Sequence, residues 1–266
     1  MRKQELYQVD AFASELFRGN PAAVCILERW LPEGLMQAIA GENNLSETAF
    51  AVPVEEGYEI RWFTPVTEVA LCGHATLATA HVLFDTREQA SDHLLFHSRE
   101  RGVLTVSRDR DWLILDFPAD PPKPVAMPQG MCEAMGAEPL ECLQGSTDYL
   151  LIYPNQDAID ALQPDHTRLG RIPARGVIVS APGMEVDFVS RFFAPQSGVP
   201  EDPVTGSAHT VLTPYWAARF GKMELTAQQR SPRGGFLHCE LRGDRVHIAG
   251  NAVTYMKAEI YLPSET

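Results

Sequence analysis

One pattern of residues occurs twice in this chain, about half a chain apart, and it constrains the fold more than any other feature. "RWFTP" at residues 61–65 leads by a loop to "CGHAT" at 72–76, and "RFFAP" at 191–195 leads by a loop to "TGSAH" at 205–209. In each copy an aromatic strand ends at a proline, and a glycine then opens an apolar helix. The repeat predicts two duplicated domains.

The helix predicted after each glycine is apolar on nearly every face. "ATLATAHVLF" follows Gly73, and "TVLTPYWAARF" follows the second motif. Because such a helix must be covered on all sides, each copy predicts an open, mostly antiparallel β-barrel around one central helix. The expected fold class is α+β, with two pseudo-symmetric lobes.

A proline-rich stretch marks the expected domain boundary. "ADPPKPVAMPQG" at residues 119–130 has the composition of an extended linker and follows a run of predicted strands. We predict an N-terminal lobe over residues 1–118, completed by the last strand at about 257–266, and a C-terminal lobe over 119–256. The 266 residues suffice for two domains, each with its own core.

The charge of the chain restricts its partners. The formal net charge is -13, and no run of lysines or arginines forms a phosphate-binding stripe, so no nucleic-acid partner is expected. The excess of carboxylates also repels anions at long range. An acidic ligand would therefore need local donors, such as helix N-termini or individual basic side chains.

Cysteine usage and hydropathy indicate the compartment. The five cysteines include no C-x-x-C pair, and an odd count is typical of a reducing environment. No apolar segment follows the basic N-terminus, and no uncharged apolar stretch approaches the ~20 residues that span a bilayer. We expect a cytoplasmic protein that is neither secreted nor inserted in a membrane.

The two glycine-led helix starts are candidates for binding an anion. A helix N-terminus has unpaired N–H groups and partial positive charge, and glycine lets a ligand approach the backbone. Alone, either Gly73-His74 or Gly206-Ser207 is better explained as a helix cap. As a matched pair facing each other across a cleft between the lobes, they predict a site that holds a small carboxylic acid.

Three titratable residues near these motifs are candidates for acid-base chemistry. Glu47, in "NLSETAF", lies between a polar turn and an apolar strand. It could be a partly desolvated general acid or base. The residues alone slightly favour the alternative, a solvated turn residue. His74 could donate to a substrate oxygen or cap its helix. Asp202 is stabilised near a helix N-terminus with or without chemistry.

Cys72 and Arg233 are weaker candidates. Cys72 could be a nucleophile, but a lone cysteine in an apolar run is more often inert, and thiol alkylation is expected to do little. Arg233, in "SPRGGF", could meet a carboxylate or belong to a hairpin turn. The eight histidines lack metal-ligand spacing and no nucleotide-binding motif occurs, so we expect neither a metal nor a cofactor.

Taken together, the motifs resemble the PhzF-like isomerases of phenazine biosynthesis, which are relatives of diaminopimelate epimerase. The resemblance extends from about residue 8 to 235, and it is carried by "VDAFASELFRGNPAAV", "NLSETAFAV", "RWFTPVTEVALCGHATLATAHVL", "RFFAPQSGVPEDPVTGSAHTVLTPYW" and "QRSPRGG". It implies two similar lobes around central helices, an active site between them, no cofactor, and a homodimer.

The resemblance also implies roles for individual residues. It makes Glu47 the proton carrier, with His74 and Asp202 as catalytic residues that polarise or position the substrate, and Asp202 and Ser207 hold the substrate. Gly73 and Gly206 supply backbone donors, and Asn20 and Arg233 are further substrate-binding candidates. The family's best-studied member isomerises trans-2,3-dihydro-3-hydroxyanthranilic acid, so the implied reaction moves a proton on a small carboxylic acid.

Two alternatives remain open. Diaminopimelate epimerase uses two opposed cysteines, each before a glycine, whereas here Thr205 precedes Gly206 and cannot act as a thiol base. An amino-acid racemase or epimerase is therefore less favoured than one carboxylate that removes and returns the proton. A protein of this fold could also bind a small acid without catalysis, because a fold can keep its pocket and lose its chemistry.

Overall fold

A computed structural model describes residues 2–86 and 91–263 of the chain. Contacts between residues divide it into two compact units. Unit 1 contains the residues up to Asp116 and those from Ala249 onward, and unit 2 is Phe117–Ile248. The strand predicted at about 257–266 begins earlier, at Ala252, and ends at Leu262, and residues 264–266 lie outside the described part.

Strands make up most of the ordered structure. In chain order they are β1 (Arg2–Ala11), β2 (Asn20–Ile26), β3 (Glu47–Pro53), β4 (Tyr58–Phe63), β5 (Glu68–Val69), β6 (His93–Ser98), β7 (Gly102–Asp109), β8 (Trp112–Pro118), β9 (Lys123–Pro124), β10 (Glu141–Gln144), β11 (Asp148–Ile152), β12 (Gly176–Pro182), β13 (Phe188–Ala194), β14 (Val199–Asp202), β15 (Glu224–Gln229), β16 (Gly235–Arg242), β17 (Arg245–Gly250) and β18 (Ala252–Leu262).

Helices lie between the strands, and the longest helix of each unit follows the repeated motif. They are α1 (Glu33–Asn43), α2 (Gly73–Thr86), α3 (Met131–Met135), α4 (Gln156–Ala161), α5 (His166–Leu169) and α6 (Gly206–Phe220). Helix α1 follows Pro32 and continues to Asn43. It ends where Asn44 adopts a left-handed conformation and donates its N–H to the Ala40 carbonyl, an arrangement that commonly closes helices.

The two units repeat one strand order. In unit 1, β2 is parallel to β3, β3 antiparallel to β4, and β4 parallel to β6, which pairs antiparallel with β7. In unit 2, β11, β12, β13, β15 and β16 pair in that same sequence of directions. The duplication inferred from the motifs is confirmed, and a parallel pair opens each copy within the mostly antiparallel arrangement.

One apolar helix forms the centre of each unit. In α2, nearly every residue from His74 to Phe84 is buried, and the helix contacts β18, β1, β2, β3 and β7, so strands far apart in the sheet order cover one helix. In α6, buried residues include Val211, Leu212 and Trp216, and the helix contacts β11, β15 and β16. This α+β architecture is the one that the sequence predicts.

The repeated Arg-aromatic-Phe segments form equivalent ion pairs. Arg61 on β4 donates from Nε to Glu68 at 2.7 Å, and Arg191 on β13 donates from Nε to Glu201 at 2.7 Å. Each guanidinium also contacts the phenylalanine two residues later on its strand. Both arginines are largely buried, and charges at such depth require a bonded partner. The arginines therefore fix the strand-to-loop turn that precedes each central helix.

Candidate active site

The first cluster of candidate residues lies where two strands and a helix of unit 1 begin. Asn20 is the first residue of β2, and Glu47 is the first of β3. Because these strands are parallel, with Ala22 opposite Glu47, both residues lie at the same edge of the sheet. Helix α2 starts at Gly73, and it brings His74 to this edge.

The imidazole of His74 connects the members of this cluster. Its Nε2 lies 3.2 Å from Glu47 Oε2, and its Nδ1 lies 3.2 Å from the amide nitrogen of Asn20. An amide nitrogen can only donate, so Nδ1 accepts and the ring proton of neutral His74 is on Nε2, the nitrogen nearer to Glu47. Cys72 Sγ also lies 3.5 Å from Nδ1.

Both members of the Glu47–His74 pair are largely removed from solvent. The side chains are 17% and 6% exposed, respectively. Burial lowers the pKa of His74 to about 3, while a negative Glu47 would act in the opposite direction. Since His74 is enclosed, desolvation is the larger effect, and the imidazole is neutral at neutral pH. Glu47 is thus not the solvated turn residue that its sequence context slightly favoured.

Glu47, Cys72 and His74 also form a group with metal-ligand chemistry. Each offers one ligand atom, and these atoms lie within 4.8 Å of one another. The sequence showed no such spacing because Glu47 comes from a distant segment. With Asn20 donating to Nδ1, however, the nitrogen that faces Glu47 carries a proton, whereas metal binding requires a lone pair there. The arrangement is better suited to proton transfer.

The second cluster, in unit 2, surrounds Asp202 at the end of β14. Thr205 donates its hydroxyl to Asp202 Oδ2, and its backbone N–H donates to Gln229 Oε1 at 2.8 Å. The Gln229 amide in turn donates to the Asp202 carbonyl at 2.8 Å. Thr205, at the position of Cys72 in the repeat, therefore serves to fix the Asp202 carboxylate beside the start of α6.

Ser207, in the first turn of α6, lies within a second network of unit 2. Arg175 donates from Nη2 to Ser207 Oγ at 3.0 Å, and from Nε to Asp148 Oδ1 at 2.9 Å. Asp148 begins β11, and its side chain is 2% exposed. A buried carboxylate thus holds a basic side chain next to the residue predicted to bind substrate.

Strand register identifies the counterpart of Glu47 in unit 2. Thr48 lies opposite Phe63 in unit 1, and Val177 lies opposite Phe193 in unit 2. Since Phe63 and Phe193 occupy the same place in the repeated segment, the residue before Val177 corresponds to Glu47. That residue is Gly176, so the carboxylate of the repeat is present in unit 1 alone.

The remaining predicted residues are in unit 2. Gly206 is the first residue of α6, and its N-cap Thr205 makes no side-chain capping bond. Arg233 lies in a turn whose Ser231 donates to the Pro203 carbonyl at 2.8 Å, so the "SPRGG" segment packs on the "EDP" segment. Asn20, Glu47, Gly73 and His74 belong to unit 1, and Asp202, Gly206, Ser207 and Arg233 to unit 2.

Sequence reasoning missed Arg175, Asp148 and Gln229. Arg175 and Asp148 lie outside the recognised motifs, in "PARGV" and "TDYLL", and Gln229 is the first residue of "QRSPRGG", where Arg233 alone was a candidate. Arg175 gave no signal in the sequence, because "RGV" at residues 175–177 corresponds to "SET" at 46–48 only through the register of the paired strands. Gln229 also gave no signal, since its role depends on β15 lying parallel to β13.

Histidine burial makes a testable contribution to stability. His209, in α6, is fully buried and donates from Nδ1 to the Thr205 carbonyl at 2.8 Å, and burial lowers its pKa to about 4. Between pH 6.5 and 4 the unfolded chain binds this proton and the folded chain does not, so stability falls with falling pH. We expect the burial of neutral His209 to lower the free energy of unfolding by about 2 kcal/mol at pH 5 relative to pH 7.

Urea unfolding at the two pH values measures this effect. His209→Leu should show a smaller loss of stability between pH 7 and pH 5 than the wild type, whatever its stability at pH 7. Replacement of the exposed His93 by Gln should leave the pH dependence unchanged. An unchanged pH dependence in His209→Leu would contradict the assignment.

Comparisons with known proteins identify the family of this chain. Residues 9–258 match the family model described as phenazine biosynthesis-like protein. An uncharacterized isomerase of Pseudomonas aeruginosa is 55% identical over 97% of this chain and 98% of its own. A crystal structure of a PhzF-family protein from Enterococcus faecalis has a TM-score of 0.95 at 46% identity, covering 98% of this chain and 100% of that one.

A more distant structure shows only the fold. A predicted epimerase of Pseudomonas aeruginosa has a TM-score of 0.75 at 19% identity, covering 98% of this chain and 100% of that one. The fold and the named relatives together identify this chain as an isomerase with an epimerase-like fold. The chain belongs to the PhzC-PhzF family of phenazine biosynthesis-like proteins. Among the described residues, no helix is long and apolar enough to cross a membrane.

Proposed function

We propose that this isomerase moves a proton on a small carboxylic acid, with Glu47 as the group that removes and returns the proton. The observation that carries the proposal is the enclosed Glu47–His74 pair, with 3.2 Å between Oε2 and Nε2, at the edge where β3 and α2 begin. A carboxylate in this setting can act as base and then as acid, which is what an isomerisation requires.

His74 positions the Glu47 carboxylate in this scheme. Its Nδ1 accepts from Asn20, so the protonated Nε2 lies 3.2 Å from Glu47 Oε2 and attracts the carboxylate electrostatically. Because burial keeps the imidazole neutral, His74 does not itself bind the transferred proton at neutral pH. Glu47 takes a proton from one carbon of the acid, the electron pair shifts along the conjugated system, and Glu47 delivers the proton to another carbon.

The residues of unit 2 have a holding role in the proposal. Gly176 occupies the place that corresponds to Glu47, and Thr205 that of Cys72, so this unit offers no second acid-base pair of the same kind. Asp202, held by Thr205, and Ser207 at the start of α6 present polar groups suited to a substrate's amine, hydroxyl or carboxylate. One carboxylate working from one side distinguishes this scheme from a two-base racemase.

The family resemblance supports a homodimer as the working assembly.

The five cysteines are all free thiols, which is in keeping with a reducing compartment such as the cytoplasm. With a net charge of -13, the chain is unsuited to nucleic acid, and the partner we propose is a small-molecule acid.

Exchange with deuterated solvent tests the proposal directly. Wild-type protein is incubated in D₂O with trans-2,3-dihydro-3-hydroxyanthranilate and with a set of small cyclic and amino-bearing carboxylic acids, and the recovered acids are analysed by mass spectrometry and NMR. We expect incorporation of solvent deuterium at carbon in at least one acid, together with conversion to its isomer. Tight binding of an acid without exchange or conversion would instead favour a binding protein.

A further inference from the structure

The guanidinium of Arg175 is held in a fixed position at the surface of unit 2. Arg175 immediately precedes β12, and its side chain is 42% exposed. Asp148, whose side chain is 2% exposed, accepts from Nε and from Nη2. Because a paired, planar guanidinium has few remaining rotamers, little further ordering is needed for it to bind a ligand.

Not all donors of Arg175 are engaged. Nε and Nη2 donate to Asp148 and Ser207, and the guanidinium carbon lies 5.4 Å from the centre of the Phe192 ring. Within residues 2–86 and 91–263, Nη1 has no hydrogen-bond partner. Asp148 balances the positive charge, so Arg175 offers oriented N–H donors rather than excess charge.

More donors lie next to this guanidinium. Ser207 Oγ accepts from Arg175, and in the described part of the chain no acceptor takes the proton of this hydroxyl. Ser207 belongs to the first turn of α6, a helix of 15 residues. Thr205, the N-cap, uses its hydroxyl on Asp202 instead of capping the helix. The backbone N–H groups of this turn therefore lack the usual side-chain acceptor.

We propose that Arg175 completes the carboxylate site predicted at Ser207, and that it selects carboxylic acids over their neutral analogues. This inference rests on the proposed function, because it assumes that the ligand is a small acid. A carboxylate placed there accepts from Arg175 Nη1, from the Ser207 hydroxyl and from the start of α6. These local donors allow a strongly acidic chain to bind an acidic ligand.

The repeat explains why this role falls to unit 2. Arg175 lies one residue before Gly176, the register counterpart of Glu47, and Ser207 is the counterpart of His74 in the "CGHAT" and "TGSAH" motifs. At equivalent points of the two copies, unit 1 thus has a carboxylate beside an imidazole, and unit 2 has a guanidinium beside a hydroxyl. The first pair is suited to moving a proton, and the second to holding an anion.

Binding of a matched acid and amide tests the inference without requiring catalysis. Dissociation constants of 3-hydroxyanthranilate, the aromatic counterpart of the dihydro acid, and of 3-hydroxyanthranilamide are measured by titration calorimetry. We expect the wild type to prefer the acid. Arg175→Gln should weaken binding of the acid by about 10- to 100-fold, because hydrogen bonds to a charged group usually contribute this much to affinity. Binding of the amide should change little.

Three further variants complete the experiment. Arg219→Gln removes a comparably exposed, acid-paired arginine elsewhere in unit 2 and should bind both ligands as the wild type does. Arg175→Lys should recover little of the preference, because an ammonium cannot match the forked contacts to Asp148 and Ser207. If Arg175→Gln fails to fold because Asp148 is left buried with its charge, Arg175→Gln combined with Asp148→Asn removes that charge and provides the same comparison.

The outcomes separate this inference from the proposed function. A preference for the acid that persists without Arg175, or a wild type that binds acid and amide equally or binds neither at millimolar concentration, would overturn the role of Arg175. Deuterium exchange by the wild type could still succeed in each of those cases. Conversely, loss of the acid preference in Arg175→Gln would support the inference even if no acid in the exchange experiment is turned over.

Discussion

Glu47→Gln is expected to reduce the rate of solvent-proton exchange into the substrate acid by about 10²- to 10⁴-fold, the usual contribution of a general acid or base. The amide oxygen of glutamine can still lie beside His74 Nε2, at present 3.2 Å from Oε2, so the local geometry should persist. An amide can neither take up nor return a proton under these conditions. Binding of the acid should therefore change little.

The measurement pairs exchange rates with calorimetric dissociation constants. Glu55→Gln, at an exposed position of the turn between β3 and β4, makes the same chemical change on the same unit and should exchange as the wild type does. If Glu47→Gln retained its exchange rate, another group would have to carry the proton. If it lost binding and exchange together, Glu47 would be a binding residue instead.

Gly176→Ala is expected to lower the free energy of unfolding by about 1–3 kcal/mol, the usual cost of overpacking a core. A Cβ at Gly176 would lie 2.2 Å from Phe192 Cζ and 2.7 Å from Cε2. Phe192 is itself buried, with Arg175 near its ring, so the ring has little space to move. The change should be seen as a lower urea midpoint.

Gly34→Ala is the matched control for this substitution. Gly34 lies in α1, and a Cβ there meets no atom within 4 Å. The same glycine-to-alanine change should be neutral or stabilise the protein by up to about 1 kcal/mol, because alanine favours helix. Equal stability of Gly176→Ala and the wild type would show that the Phe192 ring can move aside.

The clash at Gly176 has a functional consequence. Since even a methyl group meets the Phe192 ring, the carboxylate side chain found at the corresponding place in unit 1 does not fit in this packing. At this position the duplicated fold therefore has one carboxylate, where perfect symmetry would give two. The proposed mechanism, in which Glu47 alone removes and returns the proton, is built on this asymmetry.

Much of the fold was predictable from local patterns. The two central helices follow from apolar residues on every face, and the duplication follows from "RWFTP" and "RFFAP" with the glycine motifs after them. The motifs also led to Glu47, His74, Asp202 and Ser207. These signals could be found because each depends on residues close together in the chain.

The sequence by itself determined the α+β class, the repeat and the family. Only the tertiary structure showed that a buried His74 lies 3.2 Å from Glu47, that Thr205 donates to Asp202, and that Arg175 donates to Ser207. Each of these relations joins residues from different elements, or depends on how deeply a group is buried. Strand register and burial are set by packing of the whole unit, and no short stretch of sequence contains them.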